Sequence, residues 1–200
     1  MGLKLLVTGG AGFIGSNFAK MVVGQHSSDV EKITVLDKLT YAGNLNNLAD
    51  LSPNDFEFIK GDICDRELVL KLCRDHDAWI NFAAESHVDR SIENSEQFIK
   101  TNVLGVQTLL ESARELGEGR LIQVSTDEVY GSIDEGTWDE LQPLQPNSPY
   151  SASKASGDLI ARAFHNTFGV DVVVTRCSNN YGPLQHKEKF IPTVIHQCLI

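Results

Sequence analysis

The stretch Val7–Gly15, VTGGAGFIG, decides the fold. An apolar run, LKLLVTG (3–9), precedes it, and GSNFAKMVVGQH (15–26), apolar at helical spacing, follows it. Gly9, Gly12 and Gly15 stand at G-x-x-G-x-x-G spacing, and Gly10, Gly12 and Gly15 also satisfy G-x-G-x-x-G. Glycines permit a tight turn and let the backbone approach a pyrophosphate. The helix that follows points its first N–H groups at those phosphates. The glycines alone are a weak signal; a strand before and a helix after make them a dinucleotide-binding turn. Asp37 closes the second apolar run, KITVLD (32–37). An acid there takes the ribose hydroxyls of NAD and repels a 2′-phosphate, although Lys38 beside it weakens that preference.

Strand and helix alternate along the rest of the chain. FEFIKGD (56–62), AWINFAA (78–84), RLIQVST (120–126) and VDVVVTR (170–176) read as strands. Several are apolar throughout, as strands buried on both faces are. RELVLKLCRDH (66–76), residues 95–116 and residues 148–169 read as helices. The pattern predicts an α/β fold with a doubly wound parallel sheet. Residues 131–149, with three of the six prolines and four acids, read as a surface loop.

The 200 residues are enough for one good-sized core. A net charge of -10 argues against a nucleic-acid surface, which needs clustered Lys and Arg. Cys64, Cys73, Cys177 and Cys198 lie far apart with no C-x-x-C pair and read as reduced thiols. No apolar run reaches the roughly 18–20 residues of a membrane span. Met1 leads into a strand with no basic-then-apolar leader, so the expectation is a soluble cytoplasmic protein without membrane partners. His26, His76, His165, His186 and His196 show no ligand spacing, and no metal is expected.

Two further stretches carry chemistry. Tyr150 and Lys154, four apart in SPYSASKASGD, share one helix face. Ser148 is a plausible cap and Pro149 suits the first turn. An ammonium near a phenol lowers its pKa, so the tyrosine can exchange a proton with an alcohol. The second stretch, STDEVYG (125–131), sets Asp127 beside Glu128 at a strand end. The pair reads as a solvated acid pair or as two acids serving one site. Strand alternation would point them apart, so both reach one site only if the strand has ended.

TGGAGFIG followed by Y-x-x-x-K resembles the extended short-chain dehydrogenase/reductase superfamily. DKLTYAGN (37–44), AAESHVDRS (83–91), STDEVYGS (125–132) and CSNNYGP (177–183) resemble the dTDP-glucose 4,6-dehydratases within it. The resemblance implies a Rossmann-type NAD-binding domain over 1–178, with the start of a nucleotide-sugar lobe, largely missing, at 179–200. It implies NAD as cofactor and dTDP-glucose as substrate. Tyr150, Lys154, Thr126, Asp127 and Glu128 would be catalytic: Tyr150 and Lys154 for oxidation at C4, Glu128 as base at C5, Asp127 as acid at C6. Cofactor contacts would be Gly9, Gly12, Phe13, Ile14, Gly15, Asp37, Lys38, Leu39, Thr40, Asp62, Ile63, Phe82, Ala83, Ala84, Glu85, Ser86, Thr101, Tyr150, Lys154 and Asn180. Ser86, Thr126, Asn179, Lys189 and Phe190 would meet the sugar nucleotide. For His87 and Arg90, in the same motif, a structural role is about as plausible as a functional one. Helices 95–116 and 148–168 would pair across a two-fold in a homodimer. The competing readings are another nucleotide-sugar dehydratase, a 4-epimerase and a non-catalytic NAD-binding fragment.

Overall fold

The computed structural model describes residues 2–26 and 28–199. Six strands form one sheet: β1 (Leu3–Thr8), β2 (Val30–Asp37), β3 (Phe56–Lys60), β4 (Ala78–Asn81), β5 (Arg120–Thr126) and β6 (Val172–Cys177). Their order is β3-β2-β1-β4-β5-β6, and every neighbouring pair is parallel. The doubly wound parallel sheet expected from the sequence is therefore present. The order in which successive strands are laid down reverses at β1, which pairs with β2 (Leu5↔Ile33) on one side and β4 (Leu5↔Ala78) on the other. Such a reversal opens a crevice beyond the carboxyl ends of the strands.

Alternation along β1 splits the core in two. Leu5 and Val7 face one side, with Ile33, Val35 and Ile80, under Ala19 and Val22 of α1 (Phe13–Gln25). Leu6 faces the other side, with Leu36, Trp79 and Leu121. That side is covered by α2 (Arg66–Arg74), α5 (Val106–Leu116) and α6 (Pro149–Phe168). Strands with apolar residues on both faces need cover on both, which explains their unbroken apolar runs.

Three helical features depart from the sequence reading or refine it. The helix expected over 95–116 is not regular: α4 (Glu96–Ile99) runs into a wide π-type turn, Lys100–Gly105, and then into α5. Such turns cluster at functional sites. The carbonyl of Lys100 in this turn accepts the Cys64 thiol at 3.2 Å. A short helix, α3 (Val88–Glu93), forms within the HVDRS stretch, where the sequence reading placed none. The start of α6 follows expectation: Ser148 and Ser151 cap each other reciprocally and Pro149 takes the first turn. A last helix, α7 (Phe190–Leu199), has no buried residue.

Helix α6 lies close against the π-type turn because Gly157 has no side chain there. A Cβ on Gly157 would sit 2.8 Å from the Asn102 carbonyl oxygen, closer than such atoms approach. Gly157→Ala should destabilise the fold by about 1–3 kcal/mol through overpacking, offset by up to ~1 kcal/mol from helix propensity. Thermal denaturation should show a lower Tm. A higher Tm would mean that the two helices have room to separate.

Candidate active site

The glycine turn between β1 and α1 is pressed against the end of β4. Gly9 has φ +68°, and a Cβ on it would meet Ala83 N at 2.4 Å. A Cβ on Gly15 would meet Gly9 O at 2.4 Å. Gly12 caps α1 with no side-chain hydrogen bond, so the first N–H groups are free to serve an anion. The Asp37 carboxylate accepts from Ala11 N at 3.0 Å and from Leu39 N at 2.7 Å. It thereby joins the glycine turn to Leu39, which is held at φ +57°. Beside it Lys38 pairs with Asp62 at 2.7 Å. That hydrogen bond raises the Lys38 ammonium above its ordinary value. Burial pushes Asp62 up, but Lys38 and the Cys64 N–H outweigh it and hold the carboxyl low.

Gly9, Gly12, Gly15, Asp37, Lys38 and Asp62 line a cavity of about 580 Å³ that runs from Asp62 across the glycine turn to Tyr150 and Lys189. Its size suits an organic cofactor, and the glycine cradle with an open helix start suits a pyrophosphate. The residues present therefore fit a dinucleotide.

At the other end of the cavity β5 stops at Thr126, and Asp127–Tyr130 form one 3-10 turn. Thr126 Oγ1 caps the turn, accepting from Glu128 N at 3.2 Å. The strand has ended, so alternation no longer governs the two acids. Glu128 lines the cavity with Thr126, Tyr150 and Lys154; Asp127 does not, and accepts instead from the Thr126 hydroxyl at 3.3 Å. Burial raises the Glu128 carboxyl, and the neighbouring Asp127 raises it further. The turn is tied to its surroundings through Tyr130, whose hydroxyl accepts from Arg176 at 2.7 Å. Arg176 also donates to Asp158 on α6 at 2.8 Å.

Both peptide ends of Tyr150 are held by serines. Tyr150 N donates to Ser91 Oγ at 3.1 Å, and Ser153 Oγ donates to Tyr150 O at 2.6 Å. Asn102 Nδ2 donates in turn to Ser153 Oγ at 2.9 Å and to Glu85 O at 3.0 Å, while its Oδ1 accepts from Glu85 N. Lys154 is buried and donates to Val124 O at 2.7 Å.

The expected lowering of Tyr150 by Lys154 is not what this geometry gives. Burial and then the charge of Glu128 raise the phenol, with the Thr126 hydroxyl pulling weakly the other way. Burial brings Lys154 itself down to about 8, against the pull of Asp158. The lysine is spent on a strand carbonyl in a dry setting, so its proton is the looser of the two.

Most of the residues expected from sequence converge here. Gly9, Gly12, Phe13, Ile14, Gly15, Asp37, Lys38, Thr40, Asp62, Ile63, Phe82, Ala83, Ala84, Glu85, Ser86, Thr101, Thr126, Glu128, Tyr150, Lys154, Asn179, Asn180 and Lys189 line the cavity. Leu39, Asp127 and Phe190 do not, and Phe190 is 81% exposed. His87 and Arg90 also lie off the cavity wall. Arg90 packs over the Tyr41 ring at 4.0 Å and pairs with Glu188 at 3.1 Å. The wall also includes Tyr41, Asn44, Asn47, Cys177, His186 and Glu188, which the sequence reading did not name as site residues. Tyr41 and Asn44 lie in DKLTYAGN and Cys177 in CSNNYGP, so those motifs were their signal; for His186 and Glu188 there was none.

Glu128 is charged at a cost, which yields a stability test. Its folded pKa is raised, so the folded state holds its proton more tightly and gains stability as pH falls. At pH 7 Glu128→Gln should raise Tm by roughly 1–3 °C. The gain should vanish near pH 4, where the unaltered side chain is itself protonated. A lower Tm at pH 7 would show that the carboxylate is stabilising where it stands.

The family model described as GDP-mannose 4,6 dehydratase matches residues 6–200. A dTDP-glucose 4,6-dehydratase of Streptomyces niveus is 54% identical over 193 residues, 95% of this chain and 57% of the relative. The solved structure of DesIV, the dTDP-glucose 4,6-dehydratase of Streptomyces venezuelae with NAD and dTDP bound, is 55% identical. It superposes with a TM-score of 0.95 over 98% of this chain and 62% of that one. A UDP-glucuronic acid 4-epimerase of Bacillus cereus, solved with UDP-glucuronic acid and NAD, is 28% identical with a TM-score of 0.89, over 98% of this chain and 63% of its own. The chain thus spans about three fifths of the length of the relatives it matches. With a family model matched from Leu6 onward, this chain belongs to the GDP-mannose 4,6-dehydratase family.

Proposed function

We propose that this chain carries the cofactor-binding and catalytic part of a dTDP-glucose 4,6-dehydratase. It would use NAD to convert dTDP-glucose into dTDP-4-keto-6-deoxyglucose by losing one water. The observation that carries this reading is the cavity wall shared by Thr126, Glu128, Tyr150 and Lys154. Oxidising an alcohol needs the tyrosine and lysine alone. A 4-epimerase makes the same ketone and has no use for a carboxylate at that wall. Identity near 54% to dTDP-glucose 4,6-dehydratases, against 28–32% to the solved 4-epimerases, supports the same choice.

NAD, when bound, accepts hydride from C4 of the sugar and later returns it to C6. Tyr150 takes the C4 hydroxyl proton, with Thr126 hydrogen-bonded at the same oxygen and the Lys154 ammonium held beside the site by the Val124 carbonyl. The C4 ketone then acidifies the C5 proton, because the carbanion spreads into the carbonyl. Glu128 removes that proton. Asp127, linked to the wall through the Thr126 hydroxyl, is the acid at the departing C6 oxygen. Residues 1–178 form the NAD-binding unit in this reading, and 179–200 begin the sugar-nucleotide lobe, with Asn179 and Lys189 on its wall.

The same reading makes the protein a cytoplasmic homodimer. None of the described helices is long and apolar enough to cross a membrane, and all four cysteines are free thiols. Ile99 and Leu104 before α5, and Leu159 on α6, expose apolar side chains on the two helices expected to pair. Leu104→Glu with Leu159→Glu should halve the mass measured by light scattering; an unchanged mass would remove these helices from the interface.

Mass spectrometry of dTDP-glucose incubated with the chain and NAD should show loss of one water. An unchanged mass would sink the chain as a competent dehydratase. Glu128→Gln should cut turnover by roughly 100-fold or more while reduced cofactor still accumulates at its near-ultraviolet band. Glu128 works ionised and is raised above 4.5, so kcat/KM should climb with pH through a midpoint above that value. It should fall again near pH 8, where Lys154 loses its proton. A flat profile across that range would remove both groups from the chemistry.

A further inference from the structure

Lys38 stands beside Asp37 at the place where a cation would hold the 2′-phosphate of NADP. Its ammonium is not turned to that task. It reaches from the end of β2 to the carboxylate of Asp62, just past the end of β3, at 2.7 Å. All three side chains line the same end of the cavity. The remaining oxygen of Asp62, Oδ1, accepts from Cys64 N at 3.0 Å, which fixes the carboxylate toward the lysine.

Magnitude argues that this pair is not kept for stability. The Lys38 and Asp62 side chains are 44% and 25% exposed. Ion pairs this open contribute about 0–1 kcal/mol and are weakened by salt. Their effect on a charged ligand is larger. A 2′-phosphate brings about two negative charges. With Asp37 and Asp62 ionised and Lys38 cationic, the three side chains present a net charge of roughly -1 to it.

We propose that Asp62 is a determinant of cofactor specificity, because it engages Lys38 and so denies a 2′-phosphate the cation beside the ribose position. This rests on the NAD reading above. Exclusion of NADP then has two parts: Asp37 repels the phosphate, and Asp62 withholds its counter-charge. Without the second carboxylate Lys38 is free to swing to the phosphate, and the local charge falls to about zero.

Calorimetric titration of the chain with NAD and with NADP tests this without turnover. Asp62→Asn keeps the acceptor for Cys64 N and removes the charge. The NADP-to-NAD affinity ratio should rise about tenfold, by the screened Coulomb interaction of one partly exposed charge. Any change in the shared adenine contact cancels in that ratio. Lys38→Met alone should lower the ratio, because the local charge falls to about -2, and adding it to Asp62→Asn should abolish the gain. Asp62→Glu, which keeps the charge, should keep the original ratio; Asp62→Ser carries the same readout as asparagine if that variant does not fold. NAD binding with an unmoved ratio in Asp62→Asn would overturn the role of Asp62 alone. Failure of the unaltered chain to bind NAD would overturn the cofactor reading, and this inference with it.

Discussion

The buried amide of Asn102 joins the two halves of the site. It bonds the backbone of Glu85 after β4 and the side chain of Ser153 on α6. Ser153 passes the constraint to the carbonyl of Tyr150. An amide with three short partners inside the fold has little freedom, because breaking any one leaves a buried polar group unmet. The π-type turn brings Asn102 to this point, and Gly157 lets α6 come near enough to receive it. The distance between the Glu85 wall and Tyr150 is thus set by secondary structure, and not by the side chains that line the cavity.

The acidic turn is held by a separate set of bonds. Arg176 on β6 grips Tyr130 within the turn and Asp158 on α6. The site therefore has rigid supports on the sheet, on the helix and on the turn. Pre-organisation of this kind fixes reacting groups before a ligand arrives. It also keeps the raised Glu128 and the raised Tyr150 near each other, since the backbone of each is held in place.

The sheet was legible because strands buried on both faces must be apolar on both, and because the glycine turn admits few structures. The cap of α6 was legible because Ser148 and Pro149 act locally. The π-type turn was not, since residues 95–116 keep helical apolar spacing throughout and the cause of the turn lies in partners far along the chain. The Arg90–Glu188 contact was hidden for the same reason, joining residues 98 apart. The response of Tyr150 to Lys154 was misjudged because spacing shows two groups on one face but not what each is bonded to. Whether both acids faced one site was undecidable from alternation, and the end of β5 at Thr126 settles only Glu128.

The pairing of β1 with β4 has a consequence in time. Lys4 and Asp77, joined at the start of that ladder, are 73 residues apart in the chain. Contacts of such long range are slow to form, because loop-closure entropy is lost before they stabilise anything. On a ribosome adding roughly 5–20 residues each second, β1 waits several seconds for the strand that completes its second edge. During that interval the glycine turn can form against β2, but the floor at Phe82–Ser86 is still being made. A nascent chain thus exposes one edge of its central strand until residue 81 is free of the exit tunnel, which makes that window the point at which it most needs protection from pairing with a neighbour.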